Sequence, residues 1–531
     1  MKWRLCWTPS GGIWLRHGGR VADDLALRMC RRKPGGVLRT FSVLALLAAA
    51  GCELGPDFHP LAAPQEAGYA PGAMANVTAS AAVAEGAPQR LLLGKDVPGN
   101  WWAFFGSRRL DAFVEQALIA NPNLQAAQAA LRQAKETAFA TEGALLPQFD
   151  ANASAQRQQL SEASVGVTGP PLIFNLFQTT VNVSYSLDVF GGKRRQLEAS
   201  EAQAEYQRFQ LEATYLTLTA NLVATVIQVA SLHGQIEATR DIVKSKRRQL
   251  GLMQRQFEAG TINKTDVLAQ ESDLLQTEAT LPGLEKQMAQ QRHVLMALMG
   301  RFPNQDGGEV LALSGLRLPS KLPVSLPSQL VEQRPDIRAA EAQVHQASAQ
   351  IGVAVANLLP QLTLTSDYGS VASSVATLFT PNTIIWSIAG GVAQPIFHGG
   401  TLIHQKRAAI AAYEAAYGQY RNTVLLAFQN VADVLRALRD DSRTLKIQDR
   451  ALRVADESLT IARTQFFAGT ITYVTLLNAQ RAYEQARLAL VQAQAARLAD
   501  TAALFQALGG GWSNRSDVAA NLSGHDSVER P

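Results

Sequence analysis

Two periodicities divide the chain. Lys193 to Glu258 and Thr401 to Phe467 each run without proline and are rich in Ala, Gln, Glu, Leu and Arg, all good helix formers. In EASEAQAEYQRFQLEA and NAQRAYEQARLALVQAQAAR, narrow Leu/Ala stripes flank broad Gln-rich faces, a pattern suited to helices with helical neighbours on the sides and water elsewhere. Each long run predicts a rod on the order of 100 Å, far beyond the core helix of a compact domain. The turns QFEAGT (256 to 261) and QFFAGT (465 to 470) follow, then second helices from Thr265 to Leu281, extending to Met299, and from Tyr473 to Leu508. Glycine after the last helical turn can take the left-handed conformation that stops a helix, so each hexapeptide marks the tip of a long helical hairpin.

The second periodicity is two. In TTVNVSYSLDVF (Thr179 to Phe190), Val181, Val183, Tyr185, Leu187 and Val189 are apolar, while Asn182, Ser184, Ser186 and Asp188 are polar. Ile384, Trp386, Ile388, Val392 and Ile396 alternate with small or polar residues in the same way, and QFDANAS (148 to 154) and QLTLTSD (361 to 367) give weaker partners. Strands of about 8 to 12 residues match a tilted membrane-spanning strand, although an ordinary soluble hairpin carries the same signal. Four strands close no barrel, and an open edge in lipid leaves backbone groups unpaired. If these strands span a membrane, several chains pool them.

The landmarks come in pairs. NPNLQAA (Asn121 to Ala127) matches RPDIRAA (Arg334 to Ala340), and LLPQ at Leu145 matches LLPQ at Leu358 with the same offset. VFGG at Val189 pairs with IFHGG at Ile396, and ALMG at Ala297 with ALGG at Ala507. Their shared order points to two homologous halves. The division is 1–51 leader, 52–104 N-terminal segment, 105–302 first repeat, 303–329 Pro-rich linker, 330–511 second repeat and 512–531 polar tail.

Arg31, Arg32, Lys33 and Arg39 precede the apolar run FSVLALLAAA, which ends at Gly51-Cys52. This describes an export signal, too short to span a membrane, with Met29 as an alternative start. The whole chain has a formal net charge of +5, but the leader holds nine Lys/Arg against two acids, so the remainder is near −2. The basic balance therefore says nothing about nucleic acid. Two of the three cysteines, Cys6 and Cys30, also fall in the leader, which leaves Cys52 with no disulfide partner.

GPDFHP after the cysteine, WWAFF (101 to 105), LDAFVEQALIANPNLQAAQAALRQAK (110 to 135), the two LPQ strand openers and the two Phe-x-Ala-Gly-Thr tips together resemble the TolC-like outer-membrane efflux proteins, in their lipoprotein branch. The resemblance implies a mainly α fold with a transmembrane β-barrel. Two-repeat protomers would form a homotrimer with four strands per chain in one twelve-stranded barrel, continued by a periplasmic α-barrel in which the shorter helices, Leu110 to Leu145 and Lys264 to Met299, stack beside the long one. It further implies an acyl chain such as palmitate on Cys52, although Ala49 stands where the lipobox usually has leucine. No other cofactor, no metal and no catalytic residue is implied. The implied partners are a periplasmic membrane-fusion adaptor, a proton-driven RND-type inner-membrane pump and outer-membrane lipid. Lipid would face Val181, Val183, Tyr185, Leu187, Ile384, Trp386 and Ile388. The adaptor would meet the tips at Phe257, Gly260, Thr261, Phe466, Gly469 and Thr470. The periplasmic constriction would be formed by Val474, Thr475, Asn478 and Arg481, with Asp266 aligned to Thr475. Asn478 replaces the aspartate usual in such channels. The implied function is passive conduction of small molecules and drugs to the exterior.

An enzyme finds no support: the chain has no phosphate loop, no His-Glu-x-x-His, no Gly-x-Ser-x-Gly and no Cys-x-x-Cys. No apolar stretch approaches twenty residues, which argues against a helical transporter. Two alternatives stay open, a lipid-anchored periplasmic coiled-coil scaffold without a pore, and the same fold serving polypeptide secretion.

Overall fold

The protein is described as a computed structural model covering residues 54–64, 68–69, 76–160 and 171–515. The leader, Cys52 and the tail beyond Arg515 lie outside the described residues. In chain order the main elements are β1 (Arg90–Leu93), α1 (Arg108–Ala120), α2 (Pro122–Gly143), β2 (Gln148–Leu160), β3 (Leu172–Leu187), α3 (Gly192–Glu258), α4 (Lys264–Glu278) and α5 (Leu281–Leu298). The second half contributes β4 (Lys321–Val324), α6 (Pro327–Gln333), α7 (Pro335–Ala356), β5 (Gln361–Ala372), β6 (Ile384–Ala393), α8 (Thr401–Phe467) and α9 (Tyr473–Ala507).

The long helices α3 and α8 each have 67 residues, within a residue of the bounds read from composition. Asp188, a polar position of the alternating strand, starts α3: its carboxylate accepts the backbone N–H groups of Lys193 (3.0 Å) and Arg194 (2.9 Å). Anionic oxygens there satisfy donors that the first helical turn leaves without partners. One 18-residue window of α3 is apolar enough to cross a membrane, with a mean hydropathy of 1.5, but 67% of it is buried inside the protein. That is a core helix, and it qualifies the expectation that no apolar stretch is so long.

The shorter helices are more broken than expected. Asn121 separates α1 from α2, its side chain accepting from the N–H of Asn123 (2.9 Å) and Leu124 (3.3 Å), with Pro122 as the first helical residue. This is an N-cap followed by a proline that forfeits no hydrogen bond. Likewise α4 ends at Glu278, because Pro282 at the start of α5 has no N–H to return to that turn. The linker is not wholly irregular either. Its Lys321–Val324 segment pairs in parallel with β1, burying Leu322 and Val324 completely.

The principal core lies where both halves meet this small sheet. Trp101, Phe105, Leu110, Leu222, Leu498 and Phe505 are fully buried there, and the Trp101 and Phe505 rings pack 5.5 Å apart. Each such side chain contributes about 1.5–3 kcal/mol by leaving water, so WWAFF serves packing. The remaining four strands form one antiparallel sheet in the order β2-β3-β5-β6, with β2 and β6 as free edges.

Candidate functional site

In an antiparallel sheet, directly opposed residues share a face. One row reads Ala151–Val181–Tyr368–Trp386 and the next in phase Phe149–Val183–Ser366–Ile388. Thr179–Ser370–Ile384, Tyr185–Leu364 and Leu187–Leu362–Val392 fall on the same side. All seven residues expected to face lipid therefore share one face, where Trp386 is 71% and Ile388 76% exposed. The interleaved rows, Asp150–Asn182–Asp367–Ser387 and Gln148–Ser184–Thr365–Ala389, are polar or small. Through these rows the sheet is apolar on one side and polar on the other, and it is open at both edges.

The two hairpin tips have one geometry. Gly260 N–H donates to Phe257 O (2.8 Å) and Thr261 N–H to Gln256 O (2.9 Å); Gly469 and Thr470 repeat this to Phe466 and Gln465, both at 3.0 Å. The two glycines have φ of 74° and 69°, and a Cβ on either would meet nothing within 4 Å. The left-handed backbone, rather than space, requires glycine. Threonine closes the turn twice, since each hydroxyl also donates to that same glutamine carbonyl at 2.9 Å. The neighbouring phenylalanines differ: Phe466 is half-buried with its ring 5.8 Å from Tyr473, whereas Phe257 is 42% exposed.

Beyond the second tip, Thr472 caps α9 by accepting from Thr475 N–H. Val474, Asn478 and Arg481 then line one exposed stripe. Asp266 occupies in α4 the place that Thr475 has in α9, the third helical residue after the cap. Arg481 is not simply directed outward: its Nε donates to Asp273 Oδ1 at 2.8 Å. Asp273 Oδ2 meets Lys246 Nζ at 2.5 Å, and Lys246 also contacts Glu484 Oε2 at 2.8 Å. Lys246 and Asp273 are almost entirely buried, and such a pair is costly to break from one side. Burial raises the Glu484 pKa despite the opposing pull of Lys246, and burial likewise raises that of the Tyr473 hydroxyl. The sequence reading missed Lys246, Asp273 and Glu484; their only signal was charge placed within narrow apolar stripes.

Two further nodes hold the N-terminal segment. Arg195, 3% exposed, donates to Leu54 O (3.3 Å), Asp57 (2.5 Å) and Glu198 (2.7 Å), and Phe58 stacks on His345 at 4.4 Å. Residue 54 is thus fixed beside the start of α3. Lower on α9, buried Arg497 donates to Glu85 O (2.8 Å) and Gln89 Oε1 (3.0 Å). Burial pushes Glu85 up to about 7, and burial together with a hydrogen bond that protonated Asp500 donates to the Asp441 carboxylate pushes Asp500 up to about 8. Among the described residues, no group of three or more His, Cys, Asp or Glu could hold a metal ion.

Comparison with known proteins gives a consistent result. The family described as outer membrane efflux protein matches residues 113–301 and 326–510. The pyoverdine export outer membrane protein OpmQ of Pseudomonas putida is 30% identical over 417 residues, 78% of this chain and 88% of that protein. The toluene efflux pump outer membrane protein TtgF of Pseudomonas putida is 28% identical over 493 residues, 90% and 97% of the two chains. Among solved structures, the outer-membrane channel OprN superimposes with a TM-score of 0.78 at 26% identity, covering 87% of this chain and 100% of that one. The Campylobacter jejuni CmeC outer membrane channel shares the fold, with a TM-score of 0.78 at 22% identity over 89% and 98% of the chains.

Proposed function

We propose that this chain, which belongs to the outer membrane efflux protein family, is the exit duct of a tripartite efflux system, working as a homotrimer. The supporting observation is the two-faced sheet with free edges. Its strands have 13, 16, 12 and 10 residues, enough to cross a bilayer at a tilt. Each backbone group left unpaired in hydrocarbon costs several kcal/mol. Joining β6 of one copy to β2 of the next removes both edges, and three copies make a twelve-stranded barrel of a size ordinary for outer membranes.

Apolar rows then face lipid and polar rows face water. Helices α3 and α8, with their return helices, continue the duct into the periplasm. Conduction is passive, and energy comes from an inner-membrane pump of the proton-driven RND type through a membrane-fusion adaptor that meets the tips at Phe257, Gly260, Thr261, Phe466, Gly469 and Thr470. Val474, Thr475, Asn478, Arg481 and Asp266 narrow the periplasmic entrance. An acyl chain on Cys52 anchors the chain to the outer membrane. The relatives' names, pyoverdine export and toluene efflux, describe unlike cargoes. That suits a water-lined duct whose cargo is chosen by the pump. Detergent-extracted protein should run as a trimer and conduct ions in planar bilayers. A monomer that turns water-soluble on Cys52→Ala and never conducts would establish a scaffold instead.

A further inference from the structure

We propose that Asp150 and Asp367 set the charge selectivity of the conduit, so that its membrane section passes cations in preference to anions. The inference rests on the barrel reading above. Strands β2, β3, β5 and β6 contain three charged residues, Asp150, Arg157 and Asp367. Side chains alternate along a strand, and the seven-residue step from Asp150 to Arg157 puts them on opposite faces. Both carboxylates belong to the polar face, at one level through the row Asp150–Asn182–Asp367–Ser387. Arg157 shares the side of Phe149 and Ala151, which faces away from the water. The polar face thus carries two negative charges and no positive one within the strands.

Neither carboxylate has an ion-pair partner among the described residues; Asp367 accepts only from Ser387 Oγ, at 2.9 Å. Each charge therefore acts on the lumen uncompensated.

Strand order sets the spacing. With the sequence β2-β3-β5-β6, the aspartates occupy the first and third places of four. Copies joined edge to edge then bear a carboxylate on every second strand around the whole barrel. Neighbouring strands lie about 4.8 Å apart, so successive charged strands are about 10 Å apart, close to the screening length at physiological salt. Potentials from adjacent carboxylates overlap into a continuous negative band, the arrangement by which rings of acidic side chains favour cations in pores.

The test is the reversal potential of purified trimers in planar bilayers under a potassium chloride gradient. Wild-type channels should favour potassium, and D150N/D367N should lower the potassium-to-chloride permeability ratio about threefold, with each single variant intermediate. D150K/D367K should prefer chloride. Asparagine is close to isosteric, Asp150 is exposed and Asp367 half-buried, so trimer mobility on native gels is expected to hold. An unchanged ratio in conducting D150N/D367N channels overturns the assignment and leaves the duct intact. Wild-type trimers that never conduct overturn the duct itself.

Discussion

Helices α3 and α8 are equal in length and occupy matching places in the two repeats, yet their surroundings differ. The middle of α3 is buried on all but one narrow stripe, Asn221, Ala224 and Gln228, with Leu222, Val223, Val226, Ile227, Val229 and Ala230 all inaccessible. Helix α8 buries one stripe, Tyr420, Val424, Ala427, Val431, Leu435 and Leu438, and leaves Leu425 67%, Ile447 64% and Val454 58% exposed. The short helices explain the difference. Helix α7 packs on both α3 and α8, whereas its counterpart α2 packs on α3 and leaves Phe139 62% exposed. Duplication copied sequence and length but not neighbours: α2 and α8 each keep an exposed apolar surface, which in the proposed trimer a second copy would cover.

The strongest way to break this comparison is to place a charge on each long helix. Val223→Asp puts a carboxylate into the α3 core, a cost of several kcal/mol, and should prevent folding, seen as loss of helical circular dichroism. Leu425→Asp on α8 should leave the dichroism unchanged and abolish the trimer, measured by native mass. If L425D trimers persist, α8 is not a subunit flank.

The tips sharpen it on a smaller scale. Phe466→Ala removes a half-buried ring packed on Tyr473 and should destabilise the tip by about 1–2 kcal/mol. Phe257→Ala should cost under about 0.5 kcal/mol. Urea titration followed by hydrogen exchange at residues 256–261 and 465–470 separates the two. The exposed Phe257 should instead matter to adaptor capture, so F257A that is stable but fails to hold an adaptor supports the docking role.

What the sequence revealed, and what it hid, follows the same division. Thr401 to Phe467 was legible to the residue because a proline-free run ending at Ala-Gly-Thr fixes both length and stop. The face of Val181 to Leu187 was legible because alternation is local. The first turns of β3 were not, since Leu172, Ile173 and Phe174 are apolar on both faces and break the period. Strand β4 hid within prolines because its reason to exist is β1, more than two hundred residues earlier in the chain. Lys246 and Asp273 were invisible for the same cause: nothing in either helix alone says that the other lies opposite.

That pair gives the next contrast. Between α3 and its return helix the first half buries an ion pair, Lys246–Asp273, while between α8 and α9 the second half sets two half-buried carboxyls side by side, Asp441 and Asp500. The folded Asp500 titrates near 8, raised by burial and by Asp441 from an ordinary value of 3.8. Its protonated form favours folding, so the stabilisation is full below the ordinary carboxylate range and is lost as pH rises toward 8. Glu85, raised to about 7, acts with the same sign. Melting temperature should fall between about pH 5 and about pH 9, and Asp500→Asn should flatten that slope by several degrees. An unchanged slope in D500N would remove Asp500 as its source.

The last contrast lies at the proposed constriction, where the halves differ by single residues. The first half supplies Asp266 at the third position of its return helix; the second supplies Thr475 there and Asn478 one turn on. Three copies would thus bring one carboxylate per chain to the entrance rather than several. A multivalent cation blocking the pore gains little from asparagine, while Asn478→Asp adds a carboxylate on the same exposed stripe as Val474. At about 4 Å in a water-filled mouth, one such contact is worth about 1 kcal/mol per unit charge on the cation, roughly fivefold tighter block for each unit charge before salt screens it. Single-channel recordings with a trivalent cation on the periplasmic side should therefore show wild-type channels blocked less than N478D channels. Equal block would mean that Asn478 packs against a neighbouring helix and that the two entrances, one per repeat, do not converge on a common ring.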